Sequence, residues 1–562
     1  GTRVAFTRES DLWVRSLADG RETRLTTSAA AESSPVWSPD DQRLAFLVRV
    51  SERQSEAPAY SGAKLVFARF DRQPPDVGIV SVNGGPPSMA ASPGWEGAPH
   101  WLDPSRLLLQ RVTENLKTRE VVVAEAETGR TETLHRDVDE KWWSVTYLSP
   151  EPIPSPDGRR IAFISDRDGW DHLYVMSSGG GPPVQVTQGQ YEISRIAWSP
   201  DGTRVAFDTN EGGHPGTRHI AVAALGDDPS AATITQLTDG RGTNTEPRWS
   251  PDGTRLLYQH TDPSNSADLY VVAANDTGAP PVRLSSSMPA SIARDGLVEP
   301  ELVRYRAPDG QQVPAYLFVS SRLDRSHRHP AIVWVHGDGV TQSYDGWHVR
   351  RDYAVYYSFH QYLAQQGYVV LAVDYRGSIG YGKAWRQGHF RDLGGKDYED
   401  VAAGVDYLRS LGYVDVGRIG IWGLSYGGFM TLQALTVTPE LFKCGINVAG
   451  VVDWRDWYKD PDGPWIEGRM GPPSQNAALY ERTAPIERID RIVRPLMVLH
   501  GTADVNVPFL ESVRLIDVAT KLDKDVELMM YPGEFHYFHR EHVLRDAWQR
   551  VARFFDQHLA ED

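Results

Sequence analysis

At 562 residues the chain is too long for one ordinary hydrophobic core and calls for two or more domains. Its net charge of −16 argues against a nucleic-acid partner, because phosphate binding needs clustered lysine and arginine. With 40% hydrophobic and 23% charged residues, and no apolar run of 18 or more, it reads as a soluble globular chain with no membrane span. Cys444 is the single cysteine, which rules out a disulfide framework and a cysteine-based metal site. That leans towards a reducing, cytoplasmic setting, although large domains are also exported to the periplasm or beyond without disulfides.

The first half is repetitive. Residues 198–207 read WSPDGTRVAF, and the phrase returns as WSPDDQRLAF at 37–46, PSPDGRRIAF at 154–163 and WSPDGTRLLY at 249–258. A weaker copy, WLDPSRLLL, occupies 101–109. The opening TRVAF matches 203–207 residue for residue, so the chain reads as starting inside another copy, with no leader pattern before it. Asp157, Asp201 and Asp252 lie 44 and 51 residues apart, the period of a β-propeller. Asp-Gly supplies the positive φ of a tight hairpin, and the apolar triplet after it reads as a buried strand. DLWVRSL at 11–17, HLYVMSS at 172–178 and DLYVVAA at 268–274 supply further strands. A single blade cannot bury both faces, so the expectation is a ring of about six to eight blades over residues 1–292. The polar stretch around 50–75 reads as a long loop.

From about residue 300 the texture changes. Apolar runs at 331–337, 368–375, 418–425, 444–450, 495–501 and 526–533 alternate with helical stretches, among them 399–410. Continuous apolar strands separated by helices indicate a mainly parallel sheet covered on both faces, an α/β-hydrolase domain over 293–562.

Gly423-Leu424-Ser425-Tyr426-Gly427-Gly428 follows the strand IGIW and opens a helix, the context of a nucleophile elbow. Such a turn lifts the Ser425 hydroxyl out of the sheet and offers the Tyr426 N–H to an oxyanion. An acid and then a histidine must follow in the chain. Asp504 stands after the strand PLMVLHG, and His536 lies 32 residues later in YPGEFHYFHR. His539 is the rival base, and His500, inside an apolar strand, reads as a buttress. In this scheme Asp504 holds the His536 tautomer while His536 takes the Ser425 proton. No H-E-x-x-H or cysteine cluster occurs, and no cofactor or metal is called for.

The propeller repeats, GLSYGGFM, HGTADVNVP and GEFHYF together resemble the prolyl oligopeptidase family of serine peptidases. The resemblance covers nearly the whole chain. It implies a propeller capping the hydrolase domain, and a cavity between them that admits short peptides. Segment 447–471 is similar to the dipeptidyl peptidase IV branch around its proline pocket. By that match Tyr426, Val451, Trp454, Trp457, Trp465 and Val507 would line the S1 pocket, and Asn506 would bind a substrate carbonyl.

Two departures stand out. Dipeptidyl peptidases grip the substrate's N-terminus with a Glu-Glu pair; no adjacent pair occurs in this chain, and Asp139-Glu140 is at best a displaced substitute. The oxyanion loop reads His336-Gly337-Asp338-Gly339, where acylaminoacyl peptidases read His-Gly-Gly-Pro and dipeptidyl peptidases place a tyrosine at 336. The second oxyanion donor would then be the Asp338 N–H. The reading is a serine peptidase for short peptides, acylaminoacyl- or oligopeptidase-like with an apolar P1 residue. A dipeptidyl aminopeptidase, a carboxylesterase and a catalytically silent propeller scaffold are the alternatives, and homo-oligomerisation stays open.

Overall fold

The repeated phrase builds a staple between blades. In the copy at 198–204, Ser199 Oγ donates to Asp201 Oδ1 (2.5 Å), which also accepts the Thr203 N–H (3.0 Å). Ser199 Oγ accepts the Arg204 N–H (2.9 Å), and Gly202 turns the chain at φ +68°. The same bonds recur at Ser155-Asp157-Arg160 and Ser250-Asp252-Arg255. At Ser38-Asp40-Arg43 they recur with Asp41 in the glycine position, at φ 57°. The tryptophan then reaches backwards: Trp101, Trp198 and Trp249 Nε1 donate to Val36, Ile153 and Ala197 O at 3.0–3.1 Å. The arginine reaches forwards. Arg204 lies 4.5 Å from the Trp249 ring and donates to Gly253 O (2.8 Å); Arg160 treats Trp198 and Gly202 alike.

The computed structural model describes residues 1–27, 30–49, 59–60, 63–64, 75–91, 95–113, 116–142, 151–275, 278–337, 341–459 and 463–560. Among these, residues 3–283 form six antiparallel blade sheets: three strands in the first and four in each sheet spanning 31–91, 95–138, 153–185, 193–236 and 243–283. This is the N-terminal β-propeller. Of the stretch around 50–75, only the two-residue strands Ala59–Tyr60 and Ala63–Lys64, and Pro75 at its end, are described.

The second half carries one eight-stranded sheet. Its strands are β1 (Glu301–Arg306), β2 (Gln312–Phe318), β3 (His329–Val335), β4 (Val369–Val373), β5 (Val414–Leu424), β6 (Cys444–Val448), β7 (Leu496–Gly501) and β8 (Val526–Tyr531). Their order is β1-β2-β4-β3-β5-β6-β7-β8; β2 pairs antiparallel with both β1 and β4, and the remaining pairs are parallel. Helices α1 (Arg351–Gln365), α2 (Lys383–Arg386), α3 (Lys396–Ser410) and α4 (Tyr426–Val437) follow in the chain. Tyr356 and Phe359 of α1 join Trp422 and Phe555 in the core on one face; Val401 of α3 and Phe429 of α4 close the other. Parallel register aligns Val335 with Gly423, and Leu424 with Val448. The loops after β3, β5, β7 and β8 therefore leave one edge of the sheet.

Propeller and hydrolase meet through buried charge. The Arg386 guanidinium of α2 is fully buried and lies 2.7 Å from Asp166, 3.0 Å from Asp171 and 3.6 Å from Glu192. Glu192 also accepts the N–H groups of Gly380 (2.8 Å) and Gly382 (3.0 Å). Asn210 donates to Gly380 O (2.9 Å), Tyr357 to Pro263 O (3.2 Å), and Arg241 to Asp345. No described helix is long and apolar enough to cross a membrane.

Candidate active site

Ser425 stands between β5 and α4 with φ 60° and ψ −116°, half-buried, in the left-handed turn that points its side chain away from the sheet. The glycines around it are steric necessities. A β-carbon on Gly427 would collide with the Val335 carbonyl, one on Gly423 with the Gly427 backbone, and one on Gly428 with Asn447. Ser425 N–H donates to Val448 O (2.8 Å), which holds the turn to β6. As the first residue of α4, Tyr426 has no acceptor for its N–H within the helix. Its hydroxyl donates to buried Asp397, whose carboxyl burial pushes up to about 7 against the pull of that bond.

Asp504 and His536 are joined. Asp504 Oδ2 lies 2.7 Å from His536 Nδ1, and Oδ1 accepts the N–H groups of Asn506 (2.8 Å) and Val507 (2.9 Å). Burial opposes ionisation of Asp504, but the charge of His536 and hydrogen bonds from His500 and His536 hold it well below the usual carboxylate range. The loops carrying the two are cross-tied. Gly533 N–H donates to Thr502 Oγ1 and Ala503 N–H to Glu534 O, both at 2.9 Å, while Glu534 accepts the His539 N–H (2.9 Å). His539 itself is largely exposed, its ring against Glu534 (3.1 Å) rather than Asp504.

Ser425 makes no side-chain hydrogen bond among the described residues. A β-carbon on Gly337 would sit 2.8 Å from the Tyr353 hydroxyl and 2.9 Å from Ser425 Cβ. The Tyr353 ring is 5.8 Å from Tyr537, the residue after His536. Catalytic hydrogen bonds are often long without substrate and tighten in its presence.

His336 is fully buried and neutral, burial lowering its pKa to about 4. Its Nδ1 lies 2.9 Å from Gly337 O and its Nε2 2.8 Å from Ser378 Oγ, whose hydroxyl donates to Tyr375 O (2.7 Å), and Tyr375 donates to His336 O (2.9 Å). These bonds set the start of the oxyanion loop. Asp338, the expected second donor, lies outside the described residues.

The aromatic residues cluster beside the elbow. Trp454, Trp457 and Trp465 have ring centroids 5.3–6.0 Å apart, and Trp454 is 5.9 Å from Tyr426. Val451 and Val507 are buried in the same core, and Trp457 Nε1 donates to Asn506 O (2.6 Å). Asn506 keeps its side-chain amide without a hydrogen bond among the described residues. Asp139 is engaged: it pairs with Lys383 and accepts the Lys141 N–H (2.8 Å) and Trp142 N–H (3.1 Å). Sequence reasoning missed Trp142, His389 and Arg469, which pack against this cluster from the propeller seam. Their spacing carries no motif, so no sequence signal marked them.

An elbow serine, an acid–histidine pair and a helix N-terminus on one edge of an α/β sheet define a serine-hydrolase arrangement. A model of the prolyl oligopeptidase family matches residues 355–562, and one of the dipeptidyl peptidase IV N-terminal region matches 97–267. The chain therefore carries a prolyl oligopeptidase family domain over residues 355–562. It is 28% identical over 320 residues to an uncharacterized peptidase, YuxL, of Bacillus subtilis (strain 168), covering 55% of this chain and 46% of that one. To prolyl endopeptidase FAP of Bos taurus it is 26% identical over 453 residues, covering 74% and 55%. The chain thus spans about half the length of these curated relatives. A puromycin-hydrolyzing peptidase of Mycobacterium tuberculosis shares the fold across 100% of this chain and 87% of its own, with TM-score 0.81 at 21% identity.

Proposed function

We propose that this chain hydrolyses short peptides through an acyl-enzyme on Ser425, with acylaminoacyl- or oligopeptidase-like specificity for an apolar P1 residue. The Asp504–His536 hydrogen bond at the sheet edge that presents Ser425 is the observation that carries the reading. With Nδ1–H directed at Asp504, the His536 Nε2 lone pair takes the Ser425 proton as Oγ attacks the substrate carbonyl. The Tyr426 N–H, with Asp338 N–H as second donor, receives the oxyanion. As the intermediate collapses, the C–N bond breaks and His536 returns the proton to the leaving amine. Water then repeats the sequence and releases the acid. Trp454, Trp457, Trp465, Tyr426, Val451 and Val507 supply the apolar wall, and the Asn506 amide a donor for a substrate carbonyl.

A dipeptidyl aminopeptidase is the second reading, favoured by the N-terminal-region match at 97–267. Against it, the propeller acids at the seam are engaged: Asp139 by Lys383, Asp166 and Asp171 by Arg386, Glu192 by Gly380 and Gly382. A panel of free and N-acetylated peptide chromophores separates the two. Acetylation should leave kcat/KM within about tenfold, since ~1.4 kcal/mol is the most an exposed acid such as Glu140 would contribute. A thousandfold fall would make the enzyme a dipeptidyl aminopeptidase. Cleavage of esters but no amides would make it a carboxylesterase.

A further inference from the structure

A cavity of about 790 Å³ opens on the hydrolase domain between α3, the far end of α4 and the short helical segment Pro485–Arg491. Ser425, Asp504 and His536 do not line it. It meets α4 at Gln433, Val437 and Thr438, and Val437 lies roughly 16 Å along that helix from Tyr426 at ~1.5 Å per residue. The floor is apolar. Leu393 and Tyr398 are buried in it, and Ala402, Ala403 and Leu441 are half-buried. The volume falls within the roughly 300–1,000 Å³ of small-molecule sites.

The charge around it runs against that of the chain. Four arginines and two acids line the cavity, in a protein with 58 basic and 74 acidic residues. Arg482 is paired with Asp392 (2.9 Å), and Asp406 with Arg409. Arg306, Arg488 and Arg491 form no ion pair among the described residues, and of the lining acids only Glu399 is likewise unpaired. Arg488, half-buried, donates to Arg482 O and Gln433 Oε1, both at 2.7 Å, while its buried Nε has no acceptor among the described residues. Arg491 donates to Val437 O (3.0 Å). Carbonyl and amide oxygens orient these guanidinium groups without cancelling their charge. Two of the cations also act on each other: burial and the charge of Arg491 lower the Arg488 pKa, and Glu487, already engaged by Arg455, only partly opposes them.

We infer that this cavity binds a small amphiphilic anion, a carboxylate or phosphate head on an apolar body. Arginine forks match the oxygens of either head group, and a concave wall of one sign concentrates the opposite charge. Arg306, Arg488 and Arg491 hold the head, and the Arg488 Nε–H gains the acceptor it lacks. The body covers Leu393, Ala402, Ala403 and Leu441, which removes apolar surface from water. The inference goes beyond the peptidase reading and does not depend on Ser425.

Calorimetry on the intact chain with octanoate, octyl phosphate, octanamide and inorganic phosphate tests it, with the thermal midpoint as a second readout of binding. Octanoate or octyl phosphate should bind about tenfold or more tighter than neutral octanamide, and the tighter of the two names the head group. Inorganic phosphate, which has no body, should bind about tenfold more weakly than octyl phosphate. Arg306→Gln and Arg491→Gln alter exposed side chains, and together they should weaken the anions by about tenfold or more while moving octanamide less than about twofold. Arg488→Gln should do the same; should it fail to fold, the two exposed variants still decide. Hydrolysis of p-nitrophenyl butyrate should stay within about threefold in both exposed variants, since the cavity lies at the far end of α4. Octanamide binding as tightly as octanoate and octyl phosphate, inorganic phosphate matching octyl phosphate, or anion binding untouched by the arginine variants overturns the site, whether or not the enzyme is a peptidase. Anion binding that the variants abolish, in a protein that turns over no peptide or ester, supports the site and overturns the peptidase reading alone.

Discussion

Asp504 is shared by two imidazoles, and His500 is the second of them: its Nε2 lies 3.1 Å from the Oδ2 that His536 Nδ1 approaches to 2.7 Å. His500 Nε2 also faces Val507 O (2.9 Å), while its Nδ1 meets the Ser512 hydroxyl (2.7 Å). Two acceptors at Nε2 assign the proton there, so Nδ1 accepts from Ser512. A chain runs from Ser512 through His500 to Asp504, and it aims the carboxylate at His536.

The first expectation concerns the base. His536→Ala should lower kcat by about 10⁴ or more, as triad deletions do. His539→Ala, on an exposed ring that bonds Glu534, should matter far less. Steady-state kinetics on one peptide substrate decides, and the reverse order would exchange their roles.

Ser425→Ala should abolish peptide and ester turnover without unfolding the domain, because a half-exposed hydroxyl with no side-chain hydrogen bond among the described residues is removed. Fluorophosphonate labelling should vanish with it. Persistent labelling elsewhere would move the nucleophile to another serine.

The aromatic wall should set P1 preference. Trp465 packs on both Trp454 and Trp457 and is the least buried of the three. Burying a phenylalanine-sized P1 side chain against such a wall contributes on the order of 2 kcal/mol, about thirtyfold in specificity. Trp465→Ala should narrow the kcat/KM ratio between phenylalanine and alanine at P1 by about tenfold; an unchanged ratio would place the S1 wall elsewhere.

Stability should fall with rising pH in a window set by Asp397. Burial raises its folded pKa to about 7, above the ordinary carboxyl value, so the native state keeps a proton that the unfolded chain releases. Its contribution is present at pH 4, declines as pH rises towards 7 and is level above that. Asp397→Asn, neutral throughout, should flatten the decline by up to about 1.4 kcal/mol per pH unit. Thermal midpoints at pH 5, 6 and 7 measure it, and parallel curves for variant and wild type would refute it.

Arg386→Met should destabilise the protein by about 3–5 kcal/mol, because Asp171 and Glu192 would be left buried without their cation and Asp166 would keep only Lys383, at 3.5 Å. Denaturant unfolding reads the loss. A change below ~1 kcal/mol would mean the carboxylates are satisfied otherwise.

The sequence alone determined a good deal. The propeller was legible because each Ser-Pro-Asp-Gly turn closes on itself through bonds within seven residues, so its chemistry is local. Apolar runs at 369–373 and 444–448 announced buried parallel strands, since both faces of β4 and β6 are covered. Gly423, Gly427 and Gly428 announced the elbow because each lacks room for a β-carbon. The antiparallel β1 and β2 and the helix at 541–559 had no comparable local mark.

What only the tertiary structure decided involves residues far apart in the chain. Nothing in the sequence assigns His500 to Asp504 and Ser512, or Asp139 to Lys383, 244 positions away. Nor does it bring Trp142 of the propeller onto His389 and Arg469 of the hydrolase. Local motifs encode the geometry of one turn. Burial and the pairing of distant charges depend on how two domains dock, and that follows from the packing of the whole chain.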